Sequence, residues 1–115
     1  MTPFGLHVRR LREVRGLSQK QMAAELNLSP AYLSALEHGK RGKPPYALLQ
    51  RMVGYFNIIW DEAEAFHAMA NLSDPKVVVD TSDLSPAATE LANRLAQKIA
   101  AMGEDEIAVL LEKLR

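Results

Sequence analysis

Apolar residues recur at helical spacing through the N-terminal part of the chain and predict five helices. Phe4, Val8 and Leu11 form the apolar stripe of the first helix, and Leu33 and Leu36 form that of the third. Serine or threonine followed by proline marks several helix starts, and glycine or asparagine marks several ends. The predicted helices lie at about 3–15, 19–27, 30–38, 46–56 and 59–72.

The C-terminal segment, residues 73–115, predicts two further helices. Asp74 and Pro75 break the chain, Ser85 and Pro86 open a helix, and a last helix follows residue 103. The β-branched run 77–79 leaves one short strand open as an alternative. The predicted fold is therefore all-α, with a five-helix domain at 1–72 followed by a helical segment at 73–115.

The inward faces of the fourth and fifth helices predict much of the core. In the fourth helix the inward residues are Leu48, Leu49, Met52, Val53 and Phe56. In the fifth, Trp60, Ala63, Phe66 and Ala70 share one face. We interpret this second face as core, with an aromatic ligand site as the alternative.

Charge is strongly segregated along a chain whose formal net charge is zero. Residues 1–51 hold nine basic and three acidic residues, whereas residues 52–115 hold five basic and eleven acidic residues. A net charge of +6 in one half and −6 in the other indicates that the N-terminal half faces a polyanion. Two solvated faces of opposite charge are the alternative.

Composition argues against several classes of function. The chain contains no cysteine, so disulfides, thiolate metal sites and cysteine nucleophiles are excluded. It has neither a long apolar run nor a signal-like N-terminus, and we expect a cytoplasmic protein with no membrane association. His7, His38 and His67 lack metal-ligand spacing, and no phosphate loop or nucleophile motif occurs. We therefore expect no metal, no cofactor and no catalytic activity.

The second and third predicted helices are separated by a turn of only a few residues. This is the geometry in which the second helix of a pair lies in a DNA major groove. Small side chains in that helix suit a groove about 12 Å wide, and the cations that follow it suit phosphates. A helical hairpin packed only for stability is the alternative.

Helices two and three and the turn between them contain a set of residue types at fixed spacings, namely Ser18, Gln19, Ala23, Asn27, Leu28, Ser29, Leu33, Leu36, Glu37 and Gly39. This pattern resembles the helix-turn-helix signature of the Cro and λ-repressor family, also called the XRE family, and the resemblance covers about residues 4–60. The resemblance implies a λ-repressor-like domain and a DNA-binding transcriptional regulator, expected to be a repressor. Asn27 stands where the family often has glycine, but asparagine tolerates a left-handed backbone, so the turn should be retained.

The resemblance also implies the residues of a double-stranded DNA interface. Gln19 corresponds to a residue that meets the phosphate backbone, and the loop cations correspond to phosphate contacts, although each could be an ordinary solvated side chain. No base-facing residue of the third helix can make a bidentate hydrogen bond, so thymine-methyl contacts, single hydrogen bonds and DNA shape should carry the readout. The expected DNA-binding residues are Gln19, Ser29, Pro30, Ala31, Tyr32, Ser34, Ala35, His38, Lys40, Arg41 and Lys43.

Arg12 and Glu37 are charged residues at apolar positions of their helices. Arg12 follows Val8 by four residues, and Glu37 follows Leu33 by four. A charge at such a position requires a partner, and the resemblance also implies an Arg-to-Glu bridge between these helices. We expect a structural ion pair that orients the third helix, with two independent solvent-reaching side chains as the alternative.

The C-terminal helices have more apolar surface than they can bury against each other. The residues concerned are Leu91, Leu95, Ile99, Met102, Ile107, Leu110, Leu111 and Leu114. Packing onto the N-terminal domain and pairing with a second copy are both open, and we favour a homodimer, with any strand at 77–79 joining its interface. A module that binds a heterologous protein, such as an antitoxin or bridging factor, is the competing function.

Overall fold

The computed structural model describes residues 1–115 and is entirely helical apart from its loops. Its helices are α1 (Pro3–Val14), α2 (Gln19–Glu25), α3 (Pro30–Glu37), α4 (Tyr46–Tyr55), α5 (Asp61–Asn71), α6 (Pro86–Lys98) and α7 (Glu104–Leu114), with a 3-10 turn at Ile99–Ala101. The all-α prediction is confirmed. The short strand left open at 77–79 is wrong, because no other segment of the chain is extended as a strand that could pair with these exposed valines.

Side-chain caps fix four of the helix starts, as the serine and threonine signals predict. Each cap oxygen accepts a hydrogen bond from the backbone N–H three residues later, which satisfies a donor that the helix leaves free. The caps are Thr2 for α1, Ser18 for α2, Ser29 for α3 and Ser85 for α6. Proline follows the cap in α1, α3 and α6, where its missing N–H costs no hydrogen bond.

The chain divides into two units, Met1–Val77 and Val78–Arg115. The first unit extends beyond Leu72 because Ser73 is part of its interior. The Ser73 hydroxyl is buried, accepts a hydrogen bond from the Phe4 N–H (3.0 Å) and donates one to the Met69 carbonyl (2.6 Å). A domain that ended at residue 72 would leave the Phe4 N–H, in the first turn of α1, without this partner.

The first unit is built around an apolar core to which all five of its helices contribute. The Phe4 and Phe66 rings meet edge to face, with centroids 5.0 Å apart, and join α1 to α5. The fully or nearly buried apolar residues are Phe4, Val8, Met22, Ala23, Leu26, Leu33, Leu36, Leu48, Leu49, Met52, Phe56, Phe66 and Ala70.

Trp60 is the clearest departure from the predicted core, because its side chain is 85% exposed. The helical period of α5 does not reach this residue: the helix begins at Asp61, and Trp60 precedes it with φ 51° and ψ −126°. Phe66 and Ala70 are buried as predicted, and Ala63 is half-buried. The predicted core face is therefore correct for the residues within α5 and wrong for Trp60, which precedes the helix.

The second unit consists of α6, the 3-10 turn and α7, and none of them contains a buried residue. Leu91 is 68% exposed, Ile99 50% and Leu114 80%. These exposed side chains lie at helical spacing on α6, the 3-10 turn and α7, so the second unit presents an exposed apolar face. None of the seven helices combines the length and the apolar character needed to span a bilayer.

Candidate nucleic-acid interface

The turn between α2 and α3 gives the helix pair its geometry. Asn27 has φ 57°, a left-handed conformation that the sequence predicted for this position. The Leu28 N–H reaches back to the Ala23 carbonyl (2.8 Å), which closes the end of α2, and Ser29 then caps α3. Two helices joined in this way form a helix-turn-helix unit.

The faces of α3 divide cleanly into a buried side and an accessible side. Leu33, Leu36 and Glu37 are buried, and no residue predicted to contact DNA is buried. The accessible predicted residues are Ser29, Pro30, Ala31, His38, Lys40, Arg41 and Lys43, whereas Gln19, Tyr32, Ser34 and Ala35 are half-buried. The unit therefore presents a helix of small side chains with cations beyond its C-terminus.

Arg12 and Glu37 are brought together at the centre of this unit. Arg12 donates from Nε to Glu37 Oε2 (2.8 Å) and from Nη2 to Oε1 (3.0 Å), a bidentate geometry that strengthens the pair. Its third donor, Nη1, reaches the Leu17 carbonyl (2.8 Å). The hydrogen bond with Glu37 raises the pKa of Arg12 above its ordinary value. Because Glu37 is only 1% exposed, this carboxylate depends on these partners.

Gln19 joins the buried Arg12–Glu37 pair, and the sequence did not predict this additional contact. Its Nε2 donates to Glu37 Oε1 (3.0 Å), so one side chain from each of α1, α2 and α3 meets at this carboxylate. An amide nitrogen carries two hydrogens, and the second remains available to a group outside the protein. The sequence offered two signals for this contact. Gln19 is the first residue of α2, and Glu37 occupies an apolar position of α3.

Two glycines let α1 approach the end of α3 closely. A Cβ on Gly5 would lie 2.4 Å from the Leu36 carbonyl oxygen and 2.8 Å from that of Glu37. Gly39 has φ 73°, and a Cβ there would lie 2.6 Å from the Thr2 nitrogen. The close approach fixes the C-terminal end of α3 and the start of the cationic loop against α1. The sequence signalled Gly39 as a helix stop but gave no periodic signal for Gly5.

The loop cations differ in their surroundings. Lys40, Arg41 and Lys43 are all exposed and form no salt bridge. The Arg41 guanidinium lies over the Tyr32 ring, 5.5 Å from its centroid, and this contact joins the loop to the first turn of α3. His38 folds onto its own helix, since its Nδ1 donates to the Ser34 carbonyl (2.7 Å).

The positive charge of the N-terminal half is largely free of acidic partners. Of its nine basic residues, only Arg9 and Arg12 form salt bridges. Arg15 has a structural role, because it donates to the Phe56 carbonyl and lies over the Phe56 ring, 5.5 Å from the centroid. The remaining cations are available to a polyanion.

A concave surface lies between α4 and α5, with the exposed Trp60 in its wall. This open groove of about 470 Å³ includes Tyr46, Gln50 and His67 in its wall. Gln50 joins the two rings, since its Nε2 donates to the Tyr46 hydroxyl (2.9 Å) and its Oε1 lies 3.2 Å from His67 Nε2. No group of three potential metal ligands lies together in the structure.

Comparison with known proteins agrees with this geometry. A family model described as a helix-turn-helix domain matches residues 3–66. The uncharacterized HTH-type transcriptional regulator RghRB of Bacillus subtilis (strain 168) is 35% identical over 72 residues, which cover 61% of this chain and 52% of the relative. The HTH-type transcriptional repressor RghR of the same organism is 36% identical over 61 residues, 53% of this chain and 45% of that protein. The chain thus spans about half the length of these curated relatives. No solved structure matches it.

Proposed function

The chain belongs to the helix-turn-helix family of transcriptional regulators, of the XRE type, and from that premise we propose that it is a repressor that places α3 in the DNA major groove. One observation carries the proposal. The Glu37 carboxylate ties α3 to α1 and α2, so the accessible face of α3 is held beside three loop cations that form no salt bridge. Repression is proposed because one relative is named a repressor.

The phosphate contacts are proposed at both ends of the helix pair. At one end, the start of α2 offers free backbone N–H groups and the second amide hydrogen of Gln19. At the other, Lys40 and Lys43 are exposed and unpaired. These groups would neutralise phosphates on either side of the groove and set the register of α3.

Base readout is proposed for residues of α3 that are exposed, such as Ala31, or half-buried, such as Ser34 and Ala35. Ala31 and Ala35 offer methyl groups for thymine, and Ser34 offers a hydroxyl to either partner of a base pair. None of these residues makes a bidentate contact, so sequence-dependent DNA shape supplies part of the selectivity. Ser29 and Pro30 are exposed at the capped start of the helix and are proposed to contact the DNA there.

The second unit is proposed to pair with the second unit of another copy. Its helices bury no residue, and their exposed leucines and isoleucines need a cover. The charges of α7 favour a second copy: Glu104, Asp105 and Glu106 form its first turn, whereas Lys113 lies in its last turn and Arg115 is paired with Glu112. Two antiparallel copies of α7 would set the acidic first turn of each against Lys113 of the other. A heterologous protein is the competing occupant of this surface.

DNA contact through α3 is tested by placing a carboxylate on its outer face. Ala31 is exposed and follows Pro30, the first residue of α3. Ala31→Asp should weaken binding to double-stranded DNA at least tenfold, since the charge would face phosphates and base edges. Binding is measured by fluorescence anisotropy with a labelled duplex.

The chain supplies a matched control in its second unit. Ala87 is exposed and follows Ser85 and Pro86 at the start of α6, so Ala87→Asp places the same charge in the same helical context. This variant should bind DNA like the unmodified chain. Unchanged affinity in both variants would contradict a groove-facing α3, and an equal loss of affinity in both would indicate a general effect of negative charge.

A further inference from the structure

We propose that Arg41, held by the ring of Tyr32, hydrogen-bonds a guanine in the DNA site, and that Tyr32 is the residue that positions it. The inference rests on the proposed function and deepens it. It departs from the phosphate contact that the family resemblance implies for Arg41. It also supplies the bidentate donor that the outer face of α3 lacks.

The first observation is the contact between the loop and the helix. The Arg41 guanidinium carbon lies 5.5 Å from the Tyr32 ring centroid, within the range of a cation–π interaction. Lys40 and Lys43 have no aromatic partner of this kind. Arg41 is therefore the one cation of the loop whose head group is directed by α3.

The second observation is that the ring itself is well supported. The Tyr32 N–H is bonded to the Ser29 cap (3.0 Å), and its side chain is half-buried against the core. The ring also lines a groove with Leu28, Pro45 and Leu48. A guanidinium stacked on a supported ring loses less conformational freedom on binding than a free side chain does.

The position of the stack favours a base over a phosphate. Tyr32 lies in the first turn of α3, and in helix-turn-helix complexes the N-terminal residues of the second helix contact base edges. A guanidinium presents a planar fork that matches the O6 and N7 acceptors of guanine in the major groove. An ammonium can reach the same acceptors, but its flexible stem lacks the rigid planar fork, so it loses more conformational freedom on binding them.

The test begins with duplexes selected from a random pool by the full chain. Affinities are then measured on the selected sequence and on a scrambled one. Arg41→Lys keeps the charge but removes the fork, so the ratio of specific to non-specific affinity should fall about 5- to 150-fold with the salt slope unchanged. Arg51→Lys is the matched control and should leave the affinity ratio unchanged. Arg51 is exposed and lines the groove that also includes Tyr32, but it makes no cation–π contact.

Variants of Tyr32 separate the ring from the hydroxyl. Tyr32→Phe keeps the ring and should retain the affinity ratio, whereas Tyr32→Leu should lose it as Arg41→Lys does. The double variant Arg41→Lys with Tyr32→Leu should be no worse than either single variant. If Tyr32→Phe lowers the ratio of specific to non-specific affinity as much as Tyr32→Leu does, the hydroxyl acts by itself and the positioning role of the ring is overturned. Circular dichroism verifies folding, and the exposed Arg41 gives a valid test even if Tyr32→Leu unfolds.

A guanine analogue with carbon in place of N7 identifies the base. At the guanine that Arg41 contacts, the analogue removes one of the two acceptors and should reduce the difference in affinity between the unmodified chain and Arg41→Lys, whereas the same analogue at other guanines should leave that difference unchanged. A parallel loss of specific and non-specific binding in Arg41→Lys would instead assign Arg41 to a phosphate and overturn the proposal. Failure to select any sequence would contradict the proposed function itself, before any variant is compared.

Discussion

The two units of the chain use similar apolar residues to different effect. Met1–Val77 buries thirteen apolar side chains, whereas Val78–Arg115 buries none, although α6 and α7 have leucines and isoleucines at regular spacing. Helices of 13 and 11 residues are marginal in water without tertiary packing. The first unit thus has the core of an independent domain, whereas the apolar side chains of the second unit are exposed and buried by none of its own helices.

Removing the second unit should have the largest effect on DNA binding. A chain that ends at Val77 retains the core and the helix pair, so its free energy of unfolding should change by less than about 0.5 kcal/mol. Its affinity for the selected DNA should fall about 100-fold or more. Without the second units, two copies no longer bind as a linked pair, and the high effective concentration of the second DNA-binding unit at its half-site is lost. Urea unfolding and DNA titration measure the two quantities. Unchanged affinity would remove the reason for a paired second unit.

Within the first unit, the buried charge pair should matter most for stability. Arg12→Ala leaves the nearly inaccessible Glu37 carboxylate without its main partner and should reduce the free energy of unfolding by about 3 kcal/mol or more. Arg9→Ala is the control, since the Arg9–Glu13 pair has the same 2.8 Å separation but half-exposed side chains, and should cost less than about 1 kcal/mol. Similar losses in urea unfolding would mean that burial does not distinguish the pairs.

The close approach of α1 to α3 gives a second pair of variants. Gly5→Ala places a methyl group 2.4 Å from the Leu36 carbonyl oxygen and should reduce the free energy of unfolding by about 1–3 kcal/mol. Gly54→Ala, in α4, meets nothing within 4 Å and should increase it by about 0.5–1 kcal/mol. Effects of the same sign in thermal unfolding would contradict the described packing of α1 on α3.

The smallest expected effect is a dependence on alkaline pH. Burial, and then the hydrogen bond to Glu25, raises the pKa of Tyr55 from 10.0 to about 12. The folded chain therefore holds this proton at a pH where the unfolded chain releases it, so the stabilisation present below pH 10 is lost as pH rises through 12. Tyr55→Phe should flatten the decline of unfolding free energy over this range. If the unfolding free energy of Tyr55→Phe declines with pH as that of the unmodified chain does, the decline is caused by other titrating groups.

The sequence predicted what depends on local rules. Cap residues and apolar periodicity located the helices, and the left-handed turn at Asn27 followed from its conformational tolerance. What depends on packing between helices was missed. Gly5 is defined by a carbonyl of α3 that lies 31 positions away in the sequence, and the helical period could not indicate that Trp60 lies just outside α5.

The candidate site shows the same limit. The charges of Arg12 and Glu37 at apolar positions indicated that a partner was needed, and the structure brings the two together. The contacts of Gln19 with Glu37 and of Arg41 with Tyr32 depend on the angle at which helices and loop meet, and no spacing along the chain encodes that angle.

The central claim is that the first unit binds DNA and the second pairs two copies. Hydroxyl-radical footprinting of the full chain on the selected DNA tests both parts at once. The account predicts two protected half-sites on one face of the duplex, with centres about 34 Å or a multiple of it apart. A single isolated protected site would contradict the pairing of second units, and the absence of any protected site would contradict DNA binding through α3.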